Sequence, residues 1–241
     1  MIDSLLHWFG QQDLLAAFAD PLDRQRYLAG FGYTLLLAAG SSLLALLLGV
    51  AGALLAATPW RGARLAVRVY VEAMRNTPLL VQLFLLYFGV GALLPLDSAG
   101  EHLLGRTAWA IIAIGLHYGA FQVEALRAAL DGVPVATLEA ARALGLQGRE
   151  LQRWIILPLA LRQALPELGN TSVQIVKATA VAYAIAVPEL LYAANRLWAD
   201  NGNVAQMMPV LLLSYLLLVL AVTWLQRRLE RHFRIPGEAS A

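Results

Sequence analysis

Long apolar runs alternate along this chain with short polar stretches rich in arginine, and five of the apolar runs are long enough to cross a bilayer as helices. A helix rises 1.5 Å per residue, so roughly 20 residues cover the ~30 Å hydrocarbon layer. The runs from Tyr33 to Ala57 and from Val204 to Leu225 contain no charged residue, and the run from Thr77 to Leu96 has only Gln82 as a strongly polar member. Two more, Thr107 to Leu126 and Leu168 to Leu190, are interrupted by His117, Gln122 and Glu124 and by Gln174, Lys177 and Glu189. Upstream, residues up to about Gly32 mix apolar clusters with Asp13, Asp20, Asp23, Arg24 and Arg26, a pattern that suits a helix lying at the membrane surface. The pattern predicts an all-α integral membrane protein: an N-terminal interfacial segment over 1–32, one five-span membrane domain over 33–226 and a tail over 227–241. No internal repeat divides it.

Composition removes the soluble alternative. Hydrophobic residues make up 59% of the 241 and charged residues only 14%, with a mean hydropathy of +0.63. An ordinary soluble domain is closer to half apolar and a quarter charged. A formal net charge of +2 is too small to imply nucleic acid, so membrane lipid is the expected surrounding partner. With no cysteine, disulfides and thiolate metal sites are excluded. The opening MIDSLLHWFGQQD lacks a basic start and a continuous apolar stretch, so it is not read as a removable signal peptide.

Arginine placement predicts orientation. With five spans, alternate loops share a side. One set holds Arg61, Arg64, Arg68, Arg75, Arg127, Arg142, Arg149, Arg153, Arg162, Arg227, Arg228, Arg231 and Arg234; the other holds Arg24, Arg26, Arg106 and Arg196. Thirteen against four assigns the first set to the cytoplasm, the N-terminus to the outside and the C-terminus to the inside.

The longest cytoplasmic connection reads as two short helices. Pro134 suits a first helical turn, and Leu138, Ala141 and Leu144 recur on one face before Gly145 stops the helix. Leu151, Trp154 and Ile155 then form a second apolar stripe, which Pro158 interrupts. By physics alone, such a pair fits a stiff cytoplasmic knuckle and a surface-lying membrane helix pair equally well.

These residues also carry a family resemblance. Glu139-Ala140-Ala141, followed by Gly145 and then Ile155-x-Leu157-Pro158, resembles the EAA loop of permease subunits in ABC importers. Glu72 and the run from Arg75 to Phe84, RNTPLLVQLF, resemble the opening of the second span in the polar amino acid permeases of the histidine and glutamine type, and Gly30 to Leu35 resembles their entry to the first span. The likeness covers roughly Gly30 to Ala194. It implies a bacterial inner-membrane, multi-pass permease whose segment 133–166 is a coupling loop gripped by a separate ATPase. Glu139, Ala140, Ala141, Gly145, Leu157 and Pro158 would make that contact. It further implies two ABC ATPase subunits, a second permease subunit and an extracytoplasmic amino-acid-binding protein. The chain has no phosphate loop, so ATP and magnesium belong to the ATPase partner, and no catalytic residue, cofactor or metal is expected here.

The polar residues inside the spans are the candidate pathway. Lys177 lies about ten residues into its span, ~15 Å deep, where an ammonium must face a cavity, a partner or an anionic ligand. Asn170, Gln174 and Lys177 follow an i, i+4, i+7 spacing, and His117, Phe121 and Glu124 share a face of the third span. With Thr179, they form the candidate set for an amino acid's carboxylate and ammonium groups. Plainer readings stand beside this one: Lys177 pairing with Glu124 or Glu189, His117 as a helix-packing hydrogen-bonder, and Pro188 ending the fourth span with Glu189 at its outer mouth.

The chain departs from its apparent relatives at one point. They commonly show Lys-Asp-Thr-Ser in the fourth span, where this chain reads Lys177-Ala178-Thr179-Ala180. The departure points to an unusual substrate or to the weaker half of a heterodimer; a heterodimer is favoured and a homodimer remains open. Among importers the alternative cargo is another small polar solute, an opine or a polyamine. A passive channel or structural membrane subunit would explain the spans but has no need of the knuckle, and an embedded enzyme lacks HExxH, GxSxG and Walker motifs.

Overall fold

The computed structural model describes residues 18, 20–95 and 104–233. All regular elements among them are helical. In chain order they are α1 (Pro21–Ala56), α2 (Arg61–Arg75), α3 (Leu79–Phe84) with a π turn over Leu85–Val90 and a 3-10 turn over Gly91–Leu93, α4 (Arg106–Asp131), α5 (Val135–Ala143), α6 (Gly148–Leu151) with a π turn over Gln152–Ile156, α7 (Leu157–Ala178) with a 3-10 stretch over Thr179–Ile185, α8 (Leu190–Asn201) and α9 (Val204–Phe233). Helices α1, α4 and α9 are each long and apolar enough to cross a membrane. The bent pairs Arg61–Arg75 with Leu79–Leu93 and Gly148–Ile185 with Leu190–Asn201 raise the number of spans to as many as five.

Contacts among the described residues gather into two compact units, one from those within 1–41, 79–114 and 175–221 and the other from those within 42–78, 115–174 and 222–241. In the first, Leu37, Leu83, Trp109, Ala110, Ala113, Ala182, Ile185 and Val187 form the core. Small residues let its helices approach closely, as membrane helices require. A Cβ on Gly30 would lie 2.6 Å from the Ala193 Cβ, nearer than carbon atoms tolerate. In the second unit, Ala53, Leu126, Ala129, Val133, Ala160 and Ala164 form one cluster and Val67, Val71, Ala120 and Val123 another.

Three sequence expectations need correction. The boundary expected at Gly32 falls inside α1, which starts eleven residues earlier. Asp20 accepts a hydrogen bond from the Leu22 N–H at 2.8 Å, and Pro21 stands at the first helical position, where its missing N–H does no harm. From there no breaker interrupts the ladder, so 21–32 are turns of the same helix as the first span. Residues 1–17 and 19 of the expected interfacial segment, including the stretch read as lacking a signal peptide, lie outside the described residues, as do the end of the second run at Leu96 and Arg234 of the tail.

The arginine-bearing connection after the first span is a helix as well. Ala63, Val67 and Val71 are buried at i, i+4 and i+8, while Arg61, Arg64 and Arg68 face outward, which makes α2 amphipathic. It stops at Asn76, because Thr77 precedes Pro78 and is driven out of the helical region.

The third correction concerns Glu189. Rather than sitting at an outer mouth, it is 0% exposed and caps the N-terminus of α8. The break before α8 passes through Ala186 at φ +56 and Pro188, and it leaves backbone N–H groups with no helical partner. Such groups must be satisfied inside the protein at membrane depth. Glu189 Oε2 accepts from the Leu191 N–H and Oε1 from the Tyr192 N–H, both at 2.9 Å, and Thr34 Oγ1 accepts from the Leu190 N–H at 3.0 Å.

Candidate functional site

The expected cytoplasmic knuckle is a helix, a glycine corner and the start of a much longer helix. Pro134 sits one position before α5 rather than in its first turn, and its carbonyl accepts from the N–H groups of Thr137 and Leu138 at 3.0 and 3.3 Å. At the other end Gly145 adopts φ +91, a left-handed conformation that glycine takes without a Cβ clash. The Leu146 N–H donates to the Ala141 carbonyl at 3.1 Å and the Gly145 N–H to the Arg142 carbonyl at 2.9 Å, the paired bonds of a Schellman stop. Gly148 at φ +52 gives a second left-handed corner at the first position of α6.

Contrary to expectation, Pro158 does not break the second helix of the knuckle. Helix continues from Gly148 to Ile185, and the turn ahead of the proline widens into π geometry over Gln152–Ile156, with the Leu157 N–H donating to the Gln152 carbonyl. A wider turn accommodates the proline ring and its absent donor. The second half of the knuckle is therefore continuous with the fourth apolar segment. Pro166 also lies within α7.

Placement of the individual residues separates buried support from free surface. Ala141 is buried and Leu138 packs against the Ala129, Val133 and Ala160 cluster, whereas Leu144, expected on the same face, is 83% exposed. Glu139, Ala140 and Gly145 are exposed, Leu157 is exposed and Pro158 half-buried. Trp154 is 64% exposed, and the Arg153 guanidinium stands 5.4 Å from its ring centroid. Exposed aromatic and aliphatic side chains around a stiff corner are the usual mark of a protein contact surface. An open cleft of about 530 Å³ lies in this corner, lined by Arg142, Gln147, Gly148, Leu151, Gln152 and Ile156.

Of the candidate substrate residues, Asn170, Gln174 and Lys177 are all exposed along one stripe of α7. Thr179 is not part of that surface: it is fully buried and donates to the Val176 carbonyl at 2.8 Å. Ala178, where the resemblance leads one to expect an aspartate, is 7% exposed.

On α4, the His117 and Phe121 rings meet at a tilt of 47° with centroids 5.4 Å apart, and His117 hydrogen-bonds the Met74 backbone. The sequence did not single out Arg75 as a partner here. Its guanidinium lies 5.2 Å from the Phe121 ring centroid and 3.9 Å from Glu124 Oε2, while Arg127 Nη1 stands 2.8 Å from Glu124 Oε1. Glu124 thus has two arginine partners and Glu189 is occupied by its cap. Neither carboxylate is waiting for a cation. Arg75 is visible as the residue opening RNTPLLVQLF, but nothing local says where a side chain at a helix end will turn.

Residues 49–235 match the family described as binding-protein-dependent transport system inner membrane component. The glutamine transport system permease protein GlnP of Escherichia coli (strain K12) is 34% identical over 167 residues, covering 69% of this chain and 74% of that protein. The nopaline transport system permease protein NocM of Agrobacterium fabrum is 33% identical over 181 residues, covering 70% and 74%. Among solved structures, that of an amino acid ABC transporter with histidines superposes with a TM-score of 0.78 at 25% identity, covering 87% of this chain and 94% of that one.

Proposed function

The chain belongs to the family of binding-protein-dependent transport system inner membrane components, and from that premise we propose that it is the permease subunit of an ATP-driven importer of polar amino acids. It is a multi-pass inner-membrane protein whose spans form the translocation path. The ATPase, with its ATP and magnesium, is a separate subunit present in two copies, and an extracytoplasmic binding protein delivers the cargo. The observation that carries this reading is the exposed corner around Glu139, Ala140 and Gly145, followed by a helix that continues through Pro158 to Gln174 and Lys177. A rigid-body push at the corner reaches the polar stripe along one helix, the geometry a coupling element needs.

In this reading the arginine-rich side, with the corner and the end of α9, faces the cytoplasm. Lys177 offers its ammonium to the substrate carboxylate, with Asn170 and Gln174 beside it. Neither Glu124 nor Glu189 is free to receive the substrate's amine, since both are engaged. A second, different permease subunit supplying that partner accounts for the departure at Ala178 and Ala180, and a homodimer carrying a less usual substrate is the competing arrangement.

The test is uptake by the assembly of permease, ATPase and binding protein in proteoliposomes, with a panel of labelled amino acids. ATP-dependent accumulation of at least one polar amino acid is expected, and its absence across the panel overturns the reading. A specific observation favours adding an opine to the panel: a nopaline permease is about as similar to this chain as a glutamine permease. Opine uptake without amino acid uptake would identify that cargo instead.

A further inference from the structure

A groove of about 500 Å³ opens in the second unit between α1, α7 and α9, with Gln122 of α4 also in its wall. Its lining is largely aliphatic: Leu43, Leu46, Leu165, Leu168, Leu225 and Leu229. The polar groups of the lining on α9, Gln226 and Glu230, lie toward the end of that helix. The charge-free run of α9 ends at Leu225 and is followed by Gln226, Arg227 and Arg228. Trp224, 61% exposed with the Arg228 guanidinium 5.3 Å from its ring centroid, marks the level where hydrocarbon gives way to headgroups.

A second open cavity shares Leu225 and Leu229 with the groove and adds Arg228, Arg231 and His232. Positions 225, 229 and 232 recur at helical spacing, so the aliphatic slot passes into a basic mouth within about two turns, ~10 Å, along α9. The carboxylate among these residues, Glu230, accepts from Gln226 Nε2 at 2.8 Å and keeps its negative charge, so two guanidinium groups against one carboxylate leave the mouth net positive.

We propose that this groove is a phospholipid site, holding an acyl chain along Leu43, Leu46, Leu168 and Leu225 and an anionic phosphate headgroup on Arg228 and Arg231. An aliphatic slot at acyl depth and a basic mouth at headgroup depth are the two halves of that ligand, joined at the spacing of one molecule. A second protein helix would satisfy the slot but leave the guanidinium pair unanswered. The site is independent of the transported solute.

The measurement is lipid retention by the full chain in its complex, extracted from bilayers of phosphatidylethanolamine containing phosphatidylglycerol and analysed by native mass spectrometry. The wild type should retain phosphatidylglycerol in preference to phosphatidylethanolamine. Arg228→Gln with Arg231→Gln, both outside the apolar run, should lower that retention about thirty-fold, the scale of two basic side chains against an anionic headgroup. Leu229→Trp, which fills the slot and leaves the arginines in place, should lower it comparably. Equal retention of both lipids, or loss in the arginine variant with none in Leu229→Trp, overturns the site by reducing it to surface charge. Unchanged lipid retention in Leu229→Trp with dissociation of two permease chains also overturns it, and makes the groove a seam between subunits.

Discussion

Tyr215 donates its hydroxyl hydrogen to Glu189 Oε2 at 2.9 Å, tying α9 to the buried cap that starts α8. One carboxylate thereby serves two backbone N–H groups and one phenol, at a break where lipid could satisfy none of them. Glu189→Ala should lower stability by about 2 kcal/mol, the upper range for a lost cap. Tyr215→Phe alone should cost about 0.6 kcal/mol, typical of a hydrogen bond inside a membrane protein. In the Glu189→Ala background the Tyr215→Phe change should cost less than it does alone, although the hydroxyl keeps Thr179 and Thr34 as hydrogen-bond partners, and unfolding of the four proteins in detergent measures that coupling.

Gly145 is the residue whose conformation turns the corner. At φ +91 an alanine is strained by about 1–2 kcal/mol, and a proline cannot adopt the angle or donate to Arg142. Gly145→Pro should still insert into the membrane, yet leave ATP hydrolysis by the partner running without uptake. Parallel assays of hydrolysis and transport in reconstituted vesicles decide it, and normal uptake would remove the corner from the coupling path.

Glu139 is exposed, so reversing its charge should change stability by no more than about 0.5 kcal/mol. If the carboxylate meets an ATPase, Glu139→Arg should instead release that subunit. Co-purification of the ATPase with the variant, against wild type at equal expression, is the readout. Undiminished recovery together with normal uptake would leave Glu139 as a solvated helix-face residue.

Lys177 stands exposed on the stripe it shares with Asn170 and Gln174. Lys177→Glu should reduce uptake by about ten-fold or more, because it sets two carboxylates against each other where a charge pair is expected, a change of over about 1.4 kcal/mol. Unaltered uptake and apparent affinity would take Lys177 out of the pathway.

Local features are readable from the chain because they depend on neighbours in sequence. The apolar runs, the Gly145 stop and the spacing of Glu139 to Pro158 all belong here. The spacing of Ala63, Val67 and Val71 in α2 is equally local, although the arginines between them led to the expectation of a plain connection there. Pro158 misleads because a lone proline inside a helix is ordinarily a break, and the π turn that absorbs it has no sequence mark of its own.

Composition and periodicity determined that this is a helical membrane protein with a structured polar corner, since both report how each residue partitions between water and hydrocarbon. They could not supply the partners of its charges. Glu124 finds Arg75 some fifty residues upstream, and Leu190 finds Thr34 at a separation of 156. Such pairings are set by which helix faces meet, and a helix's own pattern names its apolar face without naming the surface that face will touch. Only the packed structure therefore decided that Glu189 is a buried cap, that Glu124 is paired with two arginines, and that Lys177 is exposed.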